Sequence, residues 1–258
     1  FGLAIFDRNF EKVKQGLLPN NRFPEHIEPY IRGSLKYYEI DKAYKGFKAV
    51  ININTVKNSP TMFARRVYES LASGTPIVSN YSEGLERLFG DLVCVSNDET
   101  EIGNYIRKLF NEEGTYRNIV LEGIRRVLSK DTYSHRLQKI IDLLELPFYH
   151  KKTRILAIGK AESIKEAEDI CSSFERQTIL EKELCLLLTD KIFDAMPEVK
   201  GNSIHVFKES EFYSMYQNIL EYSDFDYLAV LSPSYRYDSN YLMDLTLSTL
   251  YAPWEVIS

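Results

Sequence analysis

The chain has 258 residues, 44% of them hydrophobic and 27% charged, with a formal net charge of −5. That is enough chain for one large domain or two medium ones with a packed core. The acidic balance argues against a nucleic-acid protein, which needs a basic face, and no apolar run approaches the ~20 residues that span a bilayer.

The opening run GLAIF (2–6) reads as a short buried parallel strand closed by Asp7-Arg8-Asn9. Pro19, Pro24, Pro29 and Gly33 make 19–34 mostly loop. A short helix over 36–45 leads to a strand at 48–53, and the loop NTVKNSP then opens a helix expected over 60–73. Ser59 is a good N-cap and Pro60 suits the first helical position. Gly74 ends that helix, and TPIVSN is the next strand. A helix at 83–89 and a strand at 92–95 follow. This alternation is that of a parallel sheet wrapped by helices. From Glu99 to Leu146 the pattern is helical, with one apolar stripe at Ile102, Ile106, Leu109 and Phe110. A second lies at Leu137, Ile140, Ile141 and Leu144. Pro147 stops the run, and 150–153 reads as a linker.

A second α/β rhythm begins with a strand at 154–158, a helix at 163–174 and strands at 184–188 and 204–207. A helix at 211–222, a strand at 227–231, a helix at 240–250 and a strand at 255–257 complete it. The expected domains are therefore 1–148 and 151–258. The sequence starts in one strand-like run and stops in another, so it reads as a fragment of a longer protein.

Cys94, Cys171 and Cys185 are odd in number and widely spaced, with no CxxC. A disulfide framework or zinc site is not expected, and a reducing cytoplasm fits. The histidines at 26, 135, 150 and 205 have no ligand spacing.

The most informative segment is NSPTMFARRVYESLASGTPIVSN. On a helix from Pro60, Thr61, Arg65 and Glu69 share one face, and Phe63, Val67 and Leu71 another. A helix start, a guanidinium and a carboxylate in that order suit a nucleoside diphosphate. A capped, solvated helix face would have the same spacing.

The string RRVYESLASGTPIVSNYSEGLERLF resembles the C-terminal domain of GT-B glycosyltransferases of the group 1 type. The opening Asn54-Thr55-Val56 with Ser59–Arg66 is similar to spore-maturation-type members. The likeness takes in DRN at 7–9, RGSL at 32–35 and TYSHR at 132–136. It implies a Rossmann-like, nucleotide-sugar-binding domain in which Glu69 binds the donor ribose. Ser59, Pro60, Thr61 and Met62 would hold the diphosphate. Arg8, Arg65 and Arg66 would be phosphate partners, and Gly33 and Ser34 would lie near the base. Many group 1 enzymes carry a second Glu where this sequence has Thr61. The likeness also implies a second Rossmann-like domain ahead of this one, and a glycan or protein acceptor. No cofactor or metal is expected. It places the protein in the cytoplasm, at the membrane or at a forming spore or cell-surface structure.

Residues 151–258 resemble the opening of family-two-like GT-A glycosyltransferases through Ser173, Gln177-Thr178 and Lys182-Glu183-Leu184. Where such enzymes carry a metal-binding acidic cluster, this chain has Ser232-Pro233-Ser234-Tyr235. A truncated, degenerate module that binds no metal is expected, with Asp190 and Asp238 as the carboxylates able to restore a site. Its tyrosines (213, 216, 222, 227, 235, 237, 241, 251) are core packing or a sugar-stacking surface. Two other readings stay open. One is a non-catalytic glycan- or nucleotide-binding or scaffolding module. The other is a phosphate-binding α/β protein of another class, such as an epimerase-like enzyme.

Overall fold

The computed structural model describes residues 2–147, 152–195, 203–212 and 224–253. Contacts divide it into two compact units, Phe1–Arg136 and Leu137–Ser258.

In the first unit β1 (Ile5–Phe6) runs parallel to β2 (Ile31–Gly33). The short α1 (Phe10–Lys14) and two single 3-10 turns, at Pro19–Asn21 and Glu28–Tyr30, lie between them. A 3-10 turn at Tyr37–Glu39 runs into α2 (Ile40–Lys45). A separate parallel sheet, ordered β3-β4-β5, is built from Val50–Asn52, Ile77–Ser79 and Cys94–Val95. Between these strands lie α3 (Arg66–Ala72) and α4 (Glu83–Phe89). Then come α5 (Glu99–Asn111), α6 (Glu113–Lys130) and α7 (Tyr133–Leu143), whose length contains the boundary between the units.

The core of this unit is Val67, Leu71, Ile77, Leu85, Phe89, Val93 and Val127. The helix spacing of Val67 and Leu71 turns one face of α3 inward, and burying each such side chain stabilises by about 1.5–3 kcal/mol. Gly74 stops the α3 segment as its sequence suggests, with φ of 72°. Asp98 caps α5 by accepting from the amides of Thr100 (2.7 Å) and Glu101 (3.0 Å).

The second unit is a four-stranded, all-parallel sheet ordered β8-β7-β6-β9: Ile204–Lys208, Lys182–Leu188, Ile155–Ala161 and Tyr227–Leu231. α8 (Ile164–Glu175), capped by Ser163, α9 (Asp190–Phe193) and α10 (Tyr241–Ser248) accompany it. Ala157, Ala161, Ile170, Phe174, Leu184, Leu186 and Leu188 fill its core. The near-continuous apolar run of β7 is that of a strand covered on both faces. Most of the helix expected over 211–222, the strand at 255–257, and Tyr213, Tyr216 and Tyr222 fall outside the described residues.

One sequence expectation is overturned. The helix placed at 60–73 begins at Arg66, and 55–65 is an irregular segment. Ser59 makes the bond of an N-cap, its Oγ accepting from the Met62 amide at 3.2 Å. Helix does not follow: the Ala64 N–H, which a helix from Pro60 would donate to the Pro60 carbonyl, goes instead to the side-chain oxygen of Asn54 at 3.3 Å. An acceptor on another segment thus takes a donor that an early helical bond needs. Thr61 therefore shares no helix face with Arg65 and Glu69.

Candidate functional site

Polar residues gather where β3 and β4 end. Asn52 and Ser79 face each other in register, and Asn54 and Asn80 follow them. Asn52, Asn54 and Ser79 are buried. Ser79 Oγ accepts from Asn52 Nδ2 (3.0 Å) and Asn54 Nδ2 (3.1 Å). The Asn80 side chain accepts from the Asn54 amide (2.7 Å) and donates to its carbonyl (3.0 Å). Burying an amide costs free energy that such pairing offsets. Two atoms of this region, Asn52 Oδ1 and Ser82 Oγ, are buried without a partner.

This lattice supports the loop that carries Ser59–Met62. A second support comes from α4, where the Glu83 amide donates to the Lys57 carbonyl at 2.8 Å. A Cβ on Gly84 would stand 3.0 Å from the Ser59 carbonyl oxygen and 3.1 Å from Thr61 N, so the close approach requires glycine there. Pro60, Thr61 and Met62 are exposed at the surface of the loop.

Arg65 and Glu69 lie at the start of α3. Arg65 Nε is 2.7 Å from Glu69 Oε1. The other carboxylate oxygen, Oε2, accepts from the Tyr44 hydroxyl at 3.0 Å. Burial, and then the bond to Glu69, push the Tyr44 phenol up to about 12. The Glu69 charge, before all, holds the Arg65 guanidinium above its usual range. Arg65 also lies over the Tyr37 ring, 5.4 Å from its centroid. Tyr37 is 71% exposed and Tyr133 73%. Arg136 packs on the Tyr68 ring at 4.6 Å, which gives TYSHR a place beside α3. Arg66 is exposed on the first turn, its charge reaching Tyr44.

Arg8 is exposed just past β1, where the Asp7 amide donates to the Gly33 carbonyl at 2.8 Å. Arg8, Gly33 and Ser34 thus share one strand-end edge. Among the described residues no hydrogen bond or ion pair joins Arg8 to Arg65, Glu69 or the 59–62 loop. The link between the two groups is Tyr37, three residues beyond Ser34 and stacked on Arg65.

One part of the anion-site argument changes with the helix start. α3 has only seven residues, and Ser59–Met62 lie outside it, so that loop is not the first turn of α3. Cationic side chains and loop amides are what the site offers an anion. Sequence reading did not find Tyr37, Tyr44, Tyr133 or the asparagine lattice. Alternate asparagines at 52 and 54 in an otherwise apolar strand were the available signal.

In the second unit the Ser232 amide donates to the Tyr237 hydroxyl at 2.9 Å, and the Ser234 amide to Ser232 Oγ at 3.3 Å. Tyr237 and Tyr241 are ring partners at 4.7 Å and pack on the core, while Tyr235 is exposed. Asp190 accepts from Ser210 Oγ, and Asp238 from the Ser239 amide. Among the described residues no group of three His, Cys, Asp or Glu could hold a metal ion. No helix among them is long and apolar enough to cross a membrane.

Parallel α/β architecture with a polar cluster at the carboxyl ends of β3 and β4 defines a Rossmann-like protein, a class that binds ligands at such strand ends. The glycosyl transferase-like family profile matches residues 9–142, just over half of the chain, and the protein belongs to that family. No curated protein and no solved structure gives a significant match.

Proposed function

We propose that the first unit binds the nucleoside diphosphate of a sugar donor, as the C-terminal half of a GT-B glycosyltransferase of the spore-maturation type. The observation that carries this reading is the Arg65–Glu69–Tyr44 cluster beside the Ser59–Met62 loop. Glu69 would accept from the ribose hydroxyls. Arg65 and Arg66, with loop amides, would meet the diphosphate, and Arg8, Gly33 and Ser34 would reach it from the β1–β2 edge. The reaction is transfer of the sugar to a polysaccharide, cell-surface or protein acceptor, hexosyltransferase-like. It calls on a second Rossmann-like domain facing this one to supply the acceptor side. The charge of the leaving diphosphate would be stabilised by fixed cations and amide dipoles rather than by a metal. In domain terms, 1–148 is the donor-binding domain and 151–258 a GT-A-like module with a structural or acceptor-binding role.

The neutral oxygens of Ser232, Ser234 and Tyr235 support a non-catalytic role for that second module, since hard cations prefer anionic oxygen ligands. Thr61, standing where many group 1 enzymes have a carboxylate, favours a purely nucleotide-binding or scaffolding protein as the second reading.

Calorimetric titration with UDP, GDP and CDP tests the donor site. Binding of at least one is expected, and Glu69→Ala should weaken it by about 1–3 kcal/mol, the usual cost of removing a charged hydrogen-bond partner. Unchanged binding in a variant whose melting temperature falls sharply would make Glu69 a structural residue. Sugar release from the matching nucleotide sugar separates transferase from scaffold.

A further inference from the structure

We infer that Tyr44 is a positioning residue that fixes Glu69 for the ribose, and that Arg65 is the partner Glu69 gives up when donor binds. This rests on the donor-site reading above and adds to it how the carboxylate is held.

The two oxygens of Glu69 have different partners. Oε1 is paired with Arg65, whose side chain is 57% exposed and otherwise rests on the exposed Tyr37 ring. An ion pair of that kind, at the surface and screened by solvent, is exchanged at little cost. Oε2 is bonded to Tyr44, which is half-buried and tied into the fold at its other end as well. Its carbonyl accepts from Thr75 Oγ1 at 2.7 Å. The carbonyl of Thr75 in turn accepts from Ser70 Oγ at 2.9 Å, and Thr75 and Ser70 are buried. Tyr44 therefore clamps α2 to both ends of α3: the hydroxyl grips Glu69 in its first turns, and the carbonyl grips the chain just past its last.

A phenol held so high in pKa remains a donor throughout the range in which the protein can be handled. It gives Glu69 Oε2 a fixed bond without taking its charge. Its bond to Glu69 is already made without ligand, so holding the carboxylate costs no further ordering when ligand arrives. The ribose hydroxyls then replace Arg65 on Oε1, and the guanidinium becomes available to the diphosphate, one turn from Glu69. The bland alternative is a tyrosine that only braces α2 on α3. The two differ in what the ribose hydroxyl is worth.

The test uses the full chain with UDP, GDP and CDP and their 2′-deoxy counterparts. For whichever base binds, wild-type protein is expected to prefer the ribonucleotide about tenfold, and Tyr44→Phe should reduce that preference to about twofold, as befits a lost hydrogen bond to a charged group. Affinity for the deoxy compound, which keeps its 3′ hydroxyl, should fall by less than that for the ribonucleotide. Tyr44→His, whose shorter ring cannot reach Glu69, should do the same, and is read in place of Tyr44→Phe if that variant does not fold. Glu69→Ala should abolish the preference altogether. If the preference persists in the Tyr44 variants but is lost in Glu69→Ala, Tyr44 is only a brace: this inference falls and the donor site stands. If the wild-type protein shows no preference, or Glu69→Ala leaves it intact, the placement of ribose on Glu69 fails and Tyr44 has nothing to position.

Discussion

Gln177 belongs to the Gln-Thr pair by which the second unit resembles GT-A enzymes, and its surroundings give that pair a structural meaning. It is buried, and its amide makes three bonds. Nε2 donates to the carbonyls of Ser173 (3.1 Å) and Asp238 (2.8 Å), and Oε1 accepts from the Leu242 amide (2.9 Å). Thr178 adds bonds to Ser239 and Asn240. The pair staples the end of α8 to the start of α10, across some sixty residues of chain. Gln177→Leu keeps roughly the same volume and removes all three bonds. It should destabilise the second unit by about 1–3 kcal/mol, the cost of leaving buried polar groups unpaired, as measured by urea denaturation. A change near zero would mean that water or a shifted loop replaces the amide.

α3 and α4 meet through the loop between Asn54 and Arg65, and here a single methyl group separates folding from binding. Gly84→Ala places a Cβ against the backbone of Ser59, Pro60 and Thr61, which has no flexible end to yield. The loop should move outward, and nucleoside diphosphate affinity should fall by about tenfold, since a displacement of this size disrupts a positioned site. Far-UV circular dichroism should stay unchanged. Equal binding by the two proteins would dissociate the 59–62 loop from the ligand. The elements themselves were largely legible. α4, α8 and the strands β6 to β9 follow from apolar runs, caps and glycines within a few neighbouring residues, and so does the stop at Gly74. The start of α3 was not legible, because Ser59 and Pro60 are sound local signals defeated by an acceptor on another segment, Asn54. β2 was hidden in a proline-rich stretch because three residues give no periodicity. At the site, Arg65 and Glu69 stood four apart and could be read as a pair. Tyr44 lies 25 residues before Glu69, and only the packing of α2 on α3 unites them.

At the scale of the molecule, the buried clusters are each drawn from one unit. Val67, Leu71, Leu85 and Phe89 belong to the first, and Ile170, Leu184, Leu186 and Leu188 to the second. A domain with its own core carries its own unfolding equilibrium. Leu85→Ala and Leu186→Ala should each cost about 2–5 kcal/mol, the range for a buried leucine. Differential scanning calorimetry should find the loss confined to one transition in each case. A single transition shifted equally by both would join the two units into one cooperative body. Nucleotide, where it binds, should raise only the transition that Leu85→Ala lowers.

The Asn80 side chain stands in for a strand. By accepting from the Asn54 amide and donating to its carbonyl, it satisfies both backbone groups that a pairing strand would satisfy, just past the point where β3 and β4 stop pairing. Asparagine matches both polarities of a peptide unit at that reach, whereas aspartate would set oxygen against oxygen at the carbonyl. Asn54 completes the arrangement with its own side chain, bonded to Ser79 and Ala64. The consequence is evolutionary. Neither asparagine needs to touch a substrate, yet natural variation at both should be as restricted as at a catalytic position. In a family alignment the two would be mistaken for chemistry, when what selection preserves is a peptide bond imitated by a side chain.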